Sequence, residues 1–239
     1  MESRKNAATQ IVFEEKSTAF ERLVMLCDGI FAIAMTLLVL DIKLPEGAAD
    51  GSSAQFTADL FNLLLKSAFY ALTFAIVASY WVGHRRLMTY VKRQDRLFTT
   101  LTFVFLVFIV FFPVSFNVIV ASGKFPQAVI FYTCVLIGCS LSSFFLWAYA
   151  SWKHRLIDPT VSSHEIVTRS IGILISPVYY CLSLLLLLIP NIEPYMVFYS
   201  WAFIPVFVRI IHSIRDQSDK QHQRSQEIPA ESDSPIIAE

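Results

Sequence analysis

The sequence predicts an all-α membrane protein with six transmembrane helices per subunit and both termini in the cytoplasm. Three observations lead there. Charged residues make up 16% of the 239-residue chain and hydrophobic residues 55%, with a mean hydropathy of +0.56. A water-soluble domain carries about a quarter charged residues, so this chain lacks the polar side chains to coat a surface in water. Second, six apolar runs reach or approach the ~20 residues that cross a bilayer as a helix. Third, Lys and Arg gather in alternate loops. Composition alone excludes an ordinary soluble enzyme and a disordered chain. The 19 basic residues balance 19 acidic ones, leaving no net charge to attract nucleic acid. Seven glycines argue against a Gly-rich nucleotide-binding fold.

The first run extends from Leu23 to Leu40 and contains one charge, Asp28. It follows a segment rich in both charge signs and lacks a small-residue cleavage site, so it reads as a retained span rather than a cleaved leader. Asp41-Ile42-Lys43-Leu44-Pro45 stops it. The second runs from about Leu60 to His84 with Lys66 inside, the third from Leu97 to Gly123, the fourth from Phe125 to Trp152 and the fifth from Ser170 to Ile192. The sixth, Pro194 to Ile211, is the shortest and carries Arg209 near its end. These runs are long and do not alternate, which favours helices over barrel strands. Pro113, Pro177 and Pro205 fall inside spans, where membrane helices tolerate them as kinks. Asn191-Ile192-Glu193-Pro194 is a tight reversal between the last two spans.

Loop charges set the orientation. Of the 19 Lys and Arg residues, 16 lie before the first span, between spans two and three, between four and five, or at and after the end of the sixth, whereas the opposite side holds only Lys43 and Lys124 and Lys66 lies within a span. Both termini therefore face the cytoplasm, as an even span count requires. Residues 1–17 read as a polar cytoplasmic N-terminus, 18–212 as the six-helix membrane domain and 213–239 as a disordered cytoplasmic tail. The external loop from Asp41 to Asp59 is mildly acidic. Cys27, Cys134, Cys139 and Cys181 all lie in apolar stretches without a CxxC pair or zinc-like spacing, and read as small residues buried in the membrane interior. No metal or cofactor site is expected.

Ionisable groups inside a span are costly and raise a functional question. Asp28 sits six residues beyond Arg22 in the cytoplasmic half of the first helix. His84 lies near the cytoplasmic end of the antiparallel second helix, at similar depth, with Trp81 one turn before it on the same face. Arg22, Asp28, Trp81 and His84 can thus form one polar cluster, either a knot that holds the bundle together or a part of gating or conduction. Lys66 enters from the external side and reads as snorkelling outward. At about 100° per residue, Gly29, Ile33, Leu37 and Leu40 share one stripe of the first helix, with Thr36 about 60° from Ile33 and Asp28 about 140° from it. From periodicity alone this stripe faces lipid or another helix.

The stretch Arg22-Leu-Val-Met-Leu26-Cys27-Asp28-Gly29, continuing Ile30-Phe-Ala-Ile-Ala-Met-Thr-Leu-Leu-Val-Leu40, resembles the first-helix signature of the transmembrane protein 175 family of potassium channels, R-x-x-x-F-S-D-G. Arg22, Asp28 and Gly29 match; Leu26 stands for the Phe and Cys27 for the Ser. Tyr80-Trp81-Val82-Gly83-His84-Arg85-Arg86-Leu87 is similar to the family's Trp/His segment. The resemblance implies a homotetramer around a central pore lined by the first helix, without a P-loop filter. It implies that Ile33, Leu37 and Leu40 form the pore constriction, with Thr36 as the pore-lining polar residue and potassium resting transiently near Ile33 and Thr36. It implies that Arg22, Asp28, Trp81 and His84 form a network fixing the pore helix, which Cys27 loosens because a thiol is a weak hydrogen-bond partner.

The expected function is a potassium-selective or potassium-preferring channel gated by apolar rings that dewet when tight. Carboxylates at Asp41 and Glu46 would concentrate cations at the outer mouth. The alternative is a proton-conducting channel or proton-linked transporter that uses Asp28 and His84. An enzyme is not expected, because the spans hold no second acid, metal cluster or activated nucleophile. Expected partners are the lipid bilayer, monovalent cations and three further copies, with no nucleic acid. The small size and absence of a duplicated half point to a prokaryotic source and a multi-pass protein of the cell membrane.

Overall fold

The structure is a computed structural model and describes residues 2–43, 51–189, 193, 194 and 196–201. The regular elements among these residues are all helices: α1 (Glu2–Leu37), α2 (Ser53–Tyr90), α3 (Arg96–Ser122), α4 (Pro126–Ser151), α5 (Ser163–Ser183) and α6 (Met196–Ser200). Short 3₁₀ turns follow α1 at Leu38–Asp41, α4 at Trp152–His154 and α5 at Leu184–Leu188. Five helices among the described residues are long and apolar enough to cross a membrane. The expected sixth span is described only through Trp201. Its residues 202–211, Pro205 and the tail 213–239 lie outside the described residues, as do Glu46 and residues 191 and 192 of the reversal. Within that reversal Met196 N–H donates to Glu193 O at 2.9 Å and Val197 N–H to Pro194 O at 3.2 Å.

The helices start where side chains can take up orphan N–H groups. Ser52 Oγ accepts from Gln55 N–H at 3.2 Å and opens α2. Asp95 Oδ1 accepts from Phe98 N–H at 2.8 Å and opens α3. Pro126 stands in the first turn of α4, where its missing N–H costs nothing. Ser162 Oγ accepts from Glu165 N–H at 3.2 Å, and α5 begins seven residues before the apolar run does. The 38 residues of α2 measure ~57 Å at the α-helical rise, more than the ~40–45 Å of a bilayer with its headgroups. An upright α2 therefore cannot fit wholly within the hydrocarbon core.

Lipid tails are as apolar as Leu, so packing and interhelical hydrogen bonds, rather than water exclusion, hold such helices together. The closest pair is α3 with α4, and α1 lies against α3 and α2. Cys27, Phe31, Ala34 and Leu38 of α1 pack on Phe105, Ile109 and Phe112 of α3. Polar links tie the layers. Tyr132 donates to Thr73 at 3.0 Å, Tyr80 to Leu136 O at 3.1 Å, and Trp201 Nε1–H to Ser183 Oγ at 3.0 Å. Bonds of this kind contribute about 0.6–2 kcal/mol each in membranes.

The loop after α2 and the loop after α4 meet. Lys92 N–H donates to Leu156 O at 2.8 Å, and Val91 pairs with Ile157 as an antiparallel bridge. Two basic loops separated by two crossings thus sit on one side, the arrangement that the Lys and Arg distribution calls for. Asp95 anchors this side. Partial burial raises its carboxyl pKa, but hydrogen bonds from Tyr149 and Phe98 N–H and the nearby Arg155 outweigh that and hold it below the usual carboxylate range.

Two expectations change in detail. Cys27 and Cys139 are buried, but Cys134 and Cys181 are exposed on the surface of the single chain, because they fall on faces of α4 and α5 that no described helix covers. Lys66 is half-buried and has no ion pair among the described residues. Gly138 faces Phe108 of α3 so closely that an added Cβ would collide with its ring. Gly138→Ala is expected to destabilise the α3–α4 pair by about 1–3 kcal/mol, the usual cost of overpacking. A thermal melt of the purified protein checks it: an unchanged midpoint would mean that the Phe108 ring swings aside freely.

Candidate pore face and its polar flank

Burial divides α1 into two faces. Leu23, Cys27, Phe31, Ala34 and Leu38, spaced by three or four residues, are all buried. Phe31 is 0% exposed, whereas Ile33, two residues on and therefore nearly opposite, is 59% exposed. Leu37 and Leu40 are exposed on the same side as Ile33, with Gly29 and Thr36. The single chain thus buries one stripe of α1 against α3 and leaves the opposite apolar stripe uncovered.

The end of α1 sharpens this stripe. The chain tightens into a 3₁₀ turn at Leu38–Asp41. Residues three apart eclipse one another in a 3₁₀ helix, so Leu40 comes closer to the line of Leu37 than α-helical spacing would put it. Thr36 Oγ1 lies 2.9 Å from Ile33 O and 3.0 Å from Ala32 O, to which its hydroxyl donates. A threonine bonded back in this way presents only oxygen lone pairs outward. That is the polarity a cation needs.

The polar flank is built differently from the expected four-residue network. Trp81 Nε1–H donates to Asp28 Oδ1 at 2.7 Å, joining α2 to α1. The indole face carries the Arg85 guanidinium 5.4 Å from the ring centroid, a distance at which a cation is attracted to the ring quadrupole. Arg85 was not among the expected residues, although its place one turn after Trp81 is the spacing that brings side chains together. Arg22 is exposed and has no hydrogen bond or ion pair to another described residue. His84 is 4% exposed, and neither ring nitrogen has a partner among the described residues. Its ring stacks on Phe105 at 5.0 Å between centroids and leans on Phe31 at 6.2 Å. The structure therefore joins Asp28 to Trp81, adds Arg85, and sets His84 apart among the aromatic rings between α1 and α3. Among the described residues no group of His, Cys, Asp or Glu could hold a metal ion.

Comparison with known proteins gives a consistent kinship. The family described as "Endosomal/lysosomal potassium channel TMEM175" matches residues 22–113, which contain both the exposed stripe of α1 and the Asp28–Trp81 bond. A Streptomyces collinus protein named as a potassium channel is 31% identical over 140 residues, covering 57% of this chain and 66% of its own length. The human protein named "Endosomal/lysosomal proton channel TMEM175" is 24% identical over 152 residues, 62% of this chain and 30% of its own length. The chain thus spans just under two thirds of the bacterial relative and less than a third of the human one. The crystal structure of a TMEM175 homolog from Chamaesiphon minutus, titled as a lysosomal potassium-selective channel, shares the fold with a TM-score of 0.60 at 24% identity, over 83% of this chain and 98% of that one. In its first three helices the chain is similar to the TMEM175 family, and it shares the fold of a TMEM175 homolog.

Proposed function

We propose that four copies of this chain form a potassium-preferring cation channel of the cell membrane, with six spans per copy and both termini in the cytoplasm. The α1 helices line a central pore. Ile33, Leu37 and Leu40 make apolar rings that close it by dewetting, and the Thr36 oxygens offer a resting place for a partly dehydrated potassium ion. No P-loop takes part. The observation that carries this reading is the division of α1, with Phe31 wholly buried and Ile33 59% exposed on the opposite side. Bacterial relatives named as potassium channels support the choice of ion. Asp28, Trp81 and Arg85 brace α1 from the side away from the pore, and Arg22 and His84 flank them.

The name of the human relative supports a second reading, proton conduction. A relay through Asp28 and His84 needs a continuous hydrogen-bonded chain, and the His84 ring nitrogens have no partner among the described residues. Purified protein in liposomes separates the two. With a potassium gradient and no ionophore, the channel reading expects potassium efflux that a proton shunt accelerates, since the shunt relieves the diffusion potential. Acidification that follows the proton gradient alone, without potassium movement, would overturn the potassium reading.

A further inference from the structure

A cavity of 560 Å³ lies between α2, α4 and α5, away from the exposed face of α1. Tyr90 of α2 bonds to Glu165 and Arg169 of α5 near one end, and beyond that contact the two helices stand apart, with Ser140 and Ser143 of α4 lining the space between them. The cavity extends along α2 from Leu72 to Arg86, ~21 Å at the helical rise. That exceeds the ~15 Å thickness of one hydrocarbon leaflet.

Its two ends differ in chemistry. The end nearest the basic loops holds Arg86 of α2 with Glu165, Thr168 and Arg169 of α5. Arg86 is exposed and its guanidinium has no partner among the described residues. Arg169 is stacked on Tyr90, with Cζ 4.2 Å from the ring centroid, and donates through Nη2 to Tyr90 Oη at 2.8 Å. Its Nε is buried and lacks a partner among the described residues. Glu165 accepts from Tyr90 Oη–H at 2.6 Å. The lining at this end thus carries one carboxylate and two guanidiniums, a net positive charge of one, with the Arg86 guanidinium and Arg169 Nε unpartnered among the described residues. The far end is lined by Leu72, Ile76, Tyr180 and Trp201. The serines between are less polar than they look. Ser79 Oγ–H donates to Ile76 O at 2.7 Å and Ser140 Oγ–H to Leu136 O at 2.9 Å, each within its own helix.

We infer that this cavity binds an anionic phospholipid of the leaflet on the side of the basic loops, its phosphodiester between Arg86 and Arg169 and an acyl chain along Leu72, Ile76 and Trp201. A guanidinium pairs well with a phosphate oxygen, and one residual positive charge matches one phosphodiester. The largely apolar remainder suits an acyl chain and not a soluble phosphate. The occupant would wedge α2 against α5, and α2 carries Trp81, which holds α1 through Asp28. The lipid would therefore bear on the same helix that braces the proposed pore.

Native mass spectrometry of the delipidated full-length protein, titrated with dioleoyl phosphatidylglycerol or dioleoyl phosphatidylcholine, tests this without any conduction readout. Phosphatidylglycerol should bind at least about fivefold more tightly, and Arg86→Gln should remove about that factor, since one basic residue near an anionic headgroup contributes on that scale. Gly172→Phe fills the cavity and keeps every charge, and it should abolish the preference. If either variant misfolds, Thr168→Leu at the headgroup end and Ile173→Trp at the chain end provide the same two arms. Glycerol phosphate should not compete. Equal binding of the two lipids overturns the inference, as does a preference that survives both variants, which would locate it in the basic loops at large. Competition by glycerol phosphate overturns the lipid assignment. A cavity that takes no lipid at all, as when residues 202–211 or a second copy fill it, also overturns it.

Discussion

An Ile33→Asn channel is expected to pass monovalent cations at least about tenfold faster than the parent, which corresponds to a barrier lower by ~1.4 kcal/mol. It is also expected to distinguish potassium from sodium less well. The reason lies in what an apolar ring does to water. Four isoleucines around an axis offer no hydrogen bonds, so a column narrow enough to touch them empties, and an ion that crosses must shed part of its hydration. Asparagine is smaller, which widens the ring, and it supplies a carbonyl and an amide to each position. Water then stays in place, the ion keeps its shell, and the dehydration cost that favours the larger, more weakly hydrated potassium disappears. Ile33 is 59% exposed in the single chain and the buried stripe of α1 lies on the other side, so the substitution leaves the core intact. Val107→Asn on the exposed face of α3 is the control and should leave conduction unchanged. Permeability ratios and single-channel conductance in planar bilayers decide the matter: values equal to the parent's would remove Ile33 from the pore.

Much of the fold is legible in the sequence because the bilayer imposes few solutions. Uncharged runs such as Leu97–Gly123 and Phe125–Trp152 appear as α3 and α4 within a residue or so of their expected ends. The start of α5 is harder to see. Its first two turns carry Ser162, Glu165 and Arg169, so a window tuned to apolar residues begins only at Ser170. The capping pattern Ser162-x-x-Glu165 was the local signal that the helix begins earlier. The candidate site divides in the same way. The exposed stripe of α1 follows from the wheel, because a single helix determines which of its residues share a face. The polar flank does not, because it depends on three helices at once. His84 and Asp28 stand at similar depth and on adjacent helices, as their positions in the sequence indicate. Yet Phe31 and Phe105 take the His84 ring, and no count along α1 and α2 can foresee a residue from α3. Arg85 stands at the edge of a basic stretch, where charge alone suggests a loop residue, yet its spacing of four from Trp81 places it over the indole.

Asp28→Ala is expected to cost assembly rather than selectivity. The Asp28 carboxylate is the acceptor of the Trp81 indole N–H at 2.7 Å. Alanine leaves that N–H without a partner on the flank of α1, in surroundings where water cannot replace the bond freely. Asp28 is exposed in the single chain, and interhelical bonds of this kind contribute about 0.6–2 kcal/mol each in membranes; the Arg85 guanidinium stays over the same indole. In the proposed tetramer each copy contributes one such bond, so four are lost, and a modest local cost becomes a large effect on the assembled state. The expected result is a sharp drop in the yield of intact oligomer on size exclusion, together with a lower thermal midpoint. Those channels that do assemble should keep the parent's ion preference, because Asp28 points about 140° away from Ile33. Asp28→Asn separates the bond from the charge. Its carbonyl can accept the indole N–H, so assembly should largely recover if the hydrogen bond matters most, and should stay low if the charge beside Arg85 does. An Asp28→Ala protein that assembles normally and conducts with altered selectivity would place the carboxylate in the ion's path and remove it from the brace.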